Sequence, residues 1–359
     1  MIGRPSSLVI AGLLAITLSA TAAAQTGPRR IVSLETLGGD GVSGRVALDL
    51  AQLYDDGTAR RLLPILGVGA LQNVRDLATI QSIDLAIVQQ DALDTARQEK
   101  LDPGVGALTY VARLYDEDFH LVARSGATNL AALAGKTVDF GPEGGGAAVT
   151  GPALFAALGV AVVAAHDPAP VALARLERGE IAAMALVAAP PLPLLAALDR
   201  PSPLRLVAVP QAASYAPAQL EAEDYPALVP QGGTVDTVAV GMVLAAADLA
   251  PGSERAADVA SFIDAFFAHA AALREPGHAP QWREVDLAAE LPGWQRSPAA
   301  ALWLKANAPA AAQGPASELK AAFDRFLDER MKTSGAALTP AQKDELFAQF
   351  RHWQEGAPR

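Results

Sequence analysis

Short aliphatic and β-branched runs alternate with stretches whose apolar positions recur at helical spacing along most of the chain. The runs at 30–35, 62–67, 84–88, 119–124, 136–140, 160–165, 181–187, 204–209 and 235–245 have the length and composition of buried strands. Between the first two, Val42, Val46, Leu50 and Leu53 fall on one helical face. Helices are also predicted over Asn73 to Ile80 and Pro170 to Arg178. Such alternation predicts an α/β fold with parallel sheets covered by helices. Beyond Pro251 the pattern changes. Arg255 to Arg274 reads as a long amphipathic helix with Val259, Phe262, Ile263, Phe266 and Phe267 on one side. Near the C-terminus, Thr339, Pro340 and Gln342 have the order of an N-cap, a first-turn proline and a capping-box partner. An apolar stripe of Leu346, Phe347, Phe350 and Trp353 follows, and the Pro/Ala-rich stretch 308–315 separates this tail from the body. No internal sequence repeat is visible.

The first residues change the expected address. Arg4, the apolar stretch Leu8 to Leu18, and Ala22-Ala23-Ala24 have the three parts of a cleavable secretory signal over residues 1–24. The apolar stretch is shorter than the roughly 20 residues of a membrane span. Its removal takes Arg4 away, so 28 − 1 = 27 basic residues face 39 acidic ones, a net charge of −12. That balance argues against nucleic acid and anionic membranes as partners. The chain has no cysteine. It therefore has neither disulfides nor the cysteine a lipid anchor requires, and the expectation is a freely diffusing periplasmic protein held together by its core.

Two segments share one grammar, a strand followed by a glycine turn and a helix start. Val138 to Ala148 reads VDFGPEGGGAA, and Gly38-Gly39-Asp40-Gly41 follows the first strand. This arrangement directs free backbone N–H groups and a positive helix end at one point, which suits an anion; it equally suits a tight turn that binds nothing. The helix after the second loop contains Gly151-Pro152, which predicts a kink in its first turns. Catalytic constellations are missing. No cysteine, G-x-S-x-G, H-E-x-x-H or C-x-x-C occurs, and the five histidines are scattered. The expectation is a protein that is not an enzyme and uses no cofactor or metal.

Several segments, in order, resemble the TAXI class of solute receptors associated with TRAP-type transporters. They are Gly38 to Gly41, Asn73-Val74-Arg75, and Asp84 to Asp91 (DLAIVQQD). Leu114 to Arg124, Leu133 to Lys136, Arg178 to Met184, Thr237 to Val240 and Trp282 to Asp286 continue the series. The resemblance implies a two-lobed type II periplasmic-binding-protein fold. Lobe I would be 27–115 with 245–310, lobe II 116–244, and 311–359 a C-terminal helical extension.

In such a cleft the resemblance implies ligand contacts from Gly39, Asp40, Gly41, Val42 and Ser43 in the first loop. Gly144, Gly145, Gly146 and Ala147 would serve in the second, with Gln89, Gln90, Asp91 and Ala189 alongside. Asp91 has a competing role as an N-cap for a helix over 92–98. Arg113, His120 and Arg124, near the expected crossing strand, are possible anion partners. Val42, Gly145 and Ala147 stand where the family commonly carries hydroxyl side chains, Ser43 where it carries Tyr, and Ala189 where a glycine is usual. The implied function is capture of a small organic anion (a dicarboxylate, 2-oxo acid or acidic amino acid) for a TRAP-type permease. The alternative is a ligand-poor descendant acting as a periplasmic sensor or protein-interaction subunit.

Overall fold

The computed structural model describes residues 30–37, 41–212 and 215–307, with isolated positions in the tail. The expected signal segment, Gly38 to Asp40, and nearly all of the C-terminal extension lie outside the described residues. The first α/β unit comprises β1 (Arg30–Thr36), α1 (Val42–Tyr54), β2 (Arg60–Leu66), α2 (Ala70–Thr79) and β3 (Leu85–Gln89). Helix α3 (Gln90–Gln98) leads to the long strand β4 (Thr109–Arg124). A second unit follows: β5 (Thr137–Asp139), α4 (Gly146–Ala157), β6 (Val163–Ala165), α5 (Ala169–Arg178) and β7 (Ala183–Ala188). Then come α6 (Pro193–Ala196), β8 (Leu204–Leu206), β9 (Ala216–Glu221), β10 (Thr234–Ala246), α7 (Glu254–His269) and α8 (Pro298–Ala306).

One mixed sheet with strand order β2-β1-β3-β10-β4-β7-β5-β6 runs through the molecule. Its two ends are built alike. Strands β2-β1-β3 are parallel in one lobe, β6-β5-β7 in the other, and each set docks on a long antiparallel strand. This topological repeat has no counterpart in the residue pattern. Strands β4 and β10 join the lobes. Met242 to Ala246 of β10 pair with β3, and Thr234 to Ala239 pair with β9. A register shift between Gly241 and Val243 marks the change of partner.

The strand expected over 119–124 begins ten residues earlier, at Thr109. Arg113, Asp116, Glu117 and Asp118 break its apolar pattern because this stretch lies at the junction of the lobes. The predicted strand 160–165 shrinks to Val163–Ala165, an edge element with mostly exposed residues. The apolar helix from Glu254 is long enough to span a membrane by composition. Its Phe262, Ile263 and Phe266 are instead fully buried against the sheet with Leu34, Leu50 and Tyr54. On the opposite face of lobe I, Val74, Leu77, Val88 and Leu93 form a second core. Phe119, Phe140 and Phe155 anchor one face of lobe II, and Leu176, Leu206 and Tyr225 the other.

Helix α4 runs on through Pro152. The lack of a side chain at Gly151 lets the Phe140 ring lie against its backbone, where a Cβ would collide. In lobe I, the fully buried Asp49 of α1 gathers the segment after α7. It accepts from Ala279 N at 2.7 Å and Trp282 Nε1 at 2.9 Å, with Arg45 and His278 each at 3.2 Å. Burial opposes its charge, but these hydrogen bonds and Arg45 hold its pKa below the usual carboxylate range.

Candidate functional site

A cleft of about 640 Å³ lies between the lobes. Three helices begin at it: α1 and α2 from lobe I and α4 from lobe II. Their N-cap residues are Gly41, Gly69 and Gly145; none receives a side-chain cap and none has an acid in the first turn. Helix α7, away from the cleft, is capped by Ser253 and carries Glu254. A glycine cap has no side-chain oxygen to accept the first N–H groups, so these three helix ends direct backbone donors and positive dipole ends at the cleft, one α2 donor being taken up by the Gly144 carbonyl. Gln89, at the end of β3, adds an amide. Its side chain is fully buried at the cleft wall, and neither its nitrogen nor its oxygen has a partner among the described residues. Elsewhere the lining is mainly apolar, with Val68, Val187, Ala188, Pro190, Leu192 and Pro280. Such a hollow can hold an anionic group at one place and hydrocarbon around it.

Of the residues singled out in the sequence, Gly41, Val42, Ser43, Gln89, Gly145, Gly146 and Ala189 come together at this cleft. Gly39 and Asp40 lie outside the described residues. Ala147 turns into the lobe II core beside Phe140. Gln90 and Asp91 open instead on a separate hollow of about 90 Å³, with Asp94, Arg113 and Tyr215. The helix expected over 92–98 starts at Gln90 with Gln89 as N-cap, so Asp91 sits in its first turn and is not the cap.

The three cationic candidates are corrected by their partners. Arg113 is paired with Asp116 at 2.5 Å and lines the small hollow. Arg124 donates to the carbonyls of Leu176 and Glu177 at the end of α5, where a cation satisfies the last carbonyls. His120 is buried between the Asp118 carbonyl and the Tyr225 hydroxyl, and burial lowers its pKa to about 4. None of the three lines the cleft. The charged side chains that do, among the described residues, are Arg45 and Glu117.

The triple-glycine loop touches the other lobe. Gly141 and Gly144 have φ of 71° and 73°, a conformation that favours glycine. The Gly144 carbonyl accepts from Leu71 N at 3.1 Å, and a Cβ on Gly69 would lie 2.8 Å from that carbonyl oxygen. One orphan donor of α2 is thus satisfied across the gap. His166 Nδ1 donates to the Gly141 carbonyl at 3.0 Å and braces the loop from behind. A second link comes from Asp91, which accepts from Thr150 at 2.6 Å and Tyr215 at 3.2 Å, both in lobe II. Burial raises the Asp91 pKa to about 6 despite these bonds. Val149 of α4 packs into the lobe I core beside them.

A family model described as the NMT1-like family matches residues 50–253, more than half of the chain. The chain belongs to the NMT1-like family. The match does not support the TAXI class that the motif order resembles. No curated protein sequence matches this NMT1-like chain significantly. Among solved structures, it is similar to a TctC solute-binding protein from Polaromonas, at 18% identity over 67% of this chain and 88% of that one, with a TM-score of 0.41. It is also similar to the periplasmic binding protein BugD, at 15% identity over 72% and 86% of the two chains, with a TM-score of 0.44. The ligand-binding component of an ABC-type import system from Staphylococcus aureus aligns at 11% identity over 71% and 78%, with a TM-score of 0.44. By their own descriptions these are binding proteins or binding components. The architecture of this NMT1-like protein is the expected two-lobed α/β fold with a cleft between the lobes.

Proposed function

We propose that this protein is a periplasmic solute-binding receptor that closes its lobes on a small organic anion and presents it to a membrane transporter. The observation that carries this reading is the convergence of three uncapped helix N-termini, from both lobes, on one cleft beside the unpartnered Gln89 amide. Residues 27–115 with 245–310 form one lobe in this reading, and 116–244 the other. Dicarboxylates, 2-oxo acids and acidic amino acids are the ligand classes, since each offers a carboxylate to the helix ends. The cleft volume lies within the roughly 300–1,000 Å³ typical of small-molecule sites. A TRAP-type permease is the partner to which the motif order points, and co-purification with the permease tests it.

A panel of such acids is expected to produce saturable thermal stabilisation and a binding isotherm. Gln89→Ala removes the buried amide and is expected to weaken binding about tenfold, the size of one hydrogen bond to a charged group. Gly146→Val places a side chain against Gln89 Oε1 and is expected to abolish binding, with circular dichroism checking that the fold persists. A flat response across the panel by the native protein overturns this reading and favours the ligand-poor sensor.

A further inference from the structure

Glu117 is the acidic side chain of the cleft. It stands on β4 opposite Val240 of β10 and lines the floor beside Val187, Ala188 and Ala189. Its exposure is only 8%, and it makes no hydrogen bond or ion pair with any described residue. Arg45, the cation of the same lining, is committed to Asp49 and to the Gly277 carbonyl. A buried carboxyl without a partner is costly, and a fold carries one most readily where a ligand group completes it.

The donors lie elsewhere in the cleft. Gln89 pairs with Met242 on β10 and Glu117 with Val240, so the two are two strands apart across the sheet and two residues apart along it, roughly 12 Å at ordinary strand geometry. One region thus offers N–H groups, the other a carboxyl, and apolar walls lie between. The geometry points to a zwitterionic ligand: a small amino carboxylate with its carboxylate at the helix ends and Gln89, and its ammonium group on Glu117. This inference rests on the proposed reading of the cleft as a solute site.

The protonation state of Glu117 supplies a signature. Burial, with Asp118 beside it, raises the pKa to about 8, so the free protein carries a neutral carboxyl at pH 7. Asp118 is the charged group acting on it from its own strand. Among the described lining residues of the other elements, only Arg45 of α1 is titratable. Pairing with an ammonium group ionises Glu117 and sends its proton to the buffer.

Titration calorimetry in two buffers of different ionisation enthalpy tests this on the full chain. The probes are glutamate, leucine and γ-aminobutyrate, each against its deamino counterpart: glutarate, 4-methylpentanoate and butyrate. At least one amino acid is expected to bind tenfold or more tighter than its counterpart and to release about one proton. Glu117→Gln, which preserves the shape of the protonated side chain, is expected to lose both the preference and the proton release while still binding the deamino acid. Equal affinities, or proton uptake, overturn the inference and leave the receptor reading intact, since a neutral Glu117 would then donate to a plain carboxylate. Absence of binding by every probe overturns both.

Discussion

Lowering the pH from about 8.5 to 6.5 is expected to raise the melting temperature of the ligand-free protein, opposite to the usual acid lability of ion-paired proteins. Three carboxyls set this behaviour. Glu117 is raised to about 8 by burial and Asp118. Asp118 reaches about 7 through burial, then Asp116, Glu284 and Asp224. Glu35 reaches about 7 through burial, with Asp76 adding to it. Each ionises near its ordinary, lower pKa once the chain unfolds. Between pH 5 and 8 the native state therefore holds more protons than the unfolded state, and stability falls as pH rises through the native values. Glu117 alone accounts for about 2 kcal/mol between pH 6.5 and 8.5, at roughly 1.4 kcal/mol per unit below its native pKa. Below pH 6.5 the buried neutral His120 opposes the trend, because the unfolded chain protonates it while the native state resists until about 4. The curve should therefore rise and then flatten. Thermal melts monitored by circular dichroism check it; a melting temperature that drops steadily from pH 8.5 to 6.5 contradicts the assignment.

Asp49→Ala is expected to cost about 3–5 kcal/mol, measured as a lower urea midpoint at unchanged slope. The substitution orphans the Trp282 indole N–H and the Ala279 amide, leaves His278 without its acceptor and leaves Arg45 with the Gly277 carbonyl alone. Trp282 is 2% exposed and packs edge-on against Phe266 at 5.7 Å, so its N–H cannot turn to water without disturbing that contact. Asp49→Asn retains one acceptor oxygen and should lose less. The damage should also reach the cleft, since Ala279, Pro280 and Gln281 form part of its wall.

The α/β character was legible because buried strands and amphipathic helices differ in period, and that difference survives without knowledge of contacts. The two glycine loops were legible for the same local reason. A third loop, Gly67-Val68-Gly69, has the same strand–glycine–helix grammar and lines the same cleft. The strand run 62–67 is visible in the sequence, but the helix predicted from Asn73 starts three residues earlier, at Ala70, so the sequence pattern left the loop apart from the helix start that Gly69 caps. Side-chain chemistry was harder to place. Arg113 and Arg124 have the right type for an anion partner, but residue type does not reveal which carboxylate or carbonyl lies nearest in space. Asp116-Glu117-Asp118 looks like a solvated charge run. Strand alternation instead turns the middle carboxyl into the cleft while its neighbours face elsewhere. Pro190 to Pro193 and the Ala279–Gln281 wall follow from long-range packing that no local pattern encodes.

The course of the backbone through the two lobes also governs how the chain assembles. Strand β10 lies between β3 and β4, yet it follows β3 by more than a hundred residues, and α7 comes later still. Until both arrive, the apolar run Leu85 to Gln89 presents an open edge and Leu34, Leu50 and Tyr54 lack their cover of Phe262 and Phe266. The second unit, whose strands and helices are consecutive, closes shorter loops and has the kinetic advantage. Completion of the first lobe is thus expected to be the late, slow and aggregation-exposed step, and a truncation before Thr234 to leave an unfinished edge rather than a smaller folded protein.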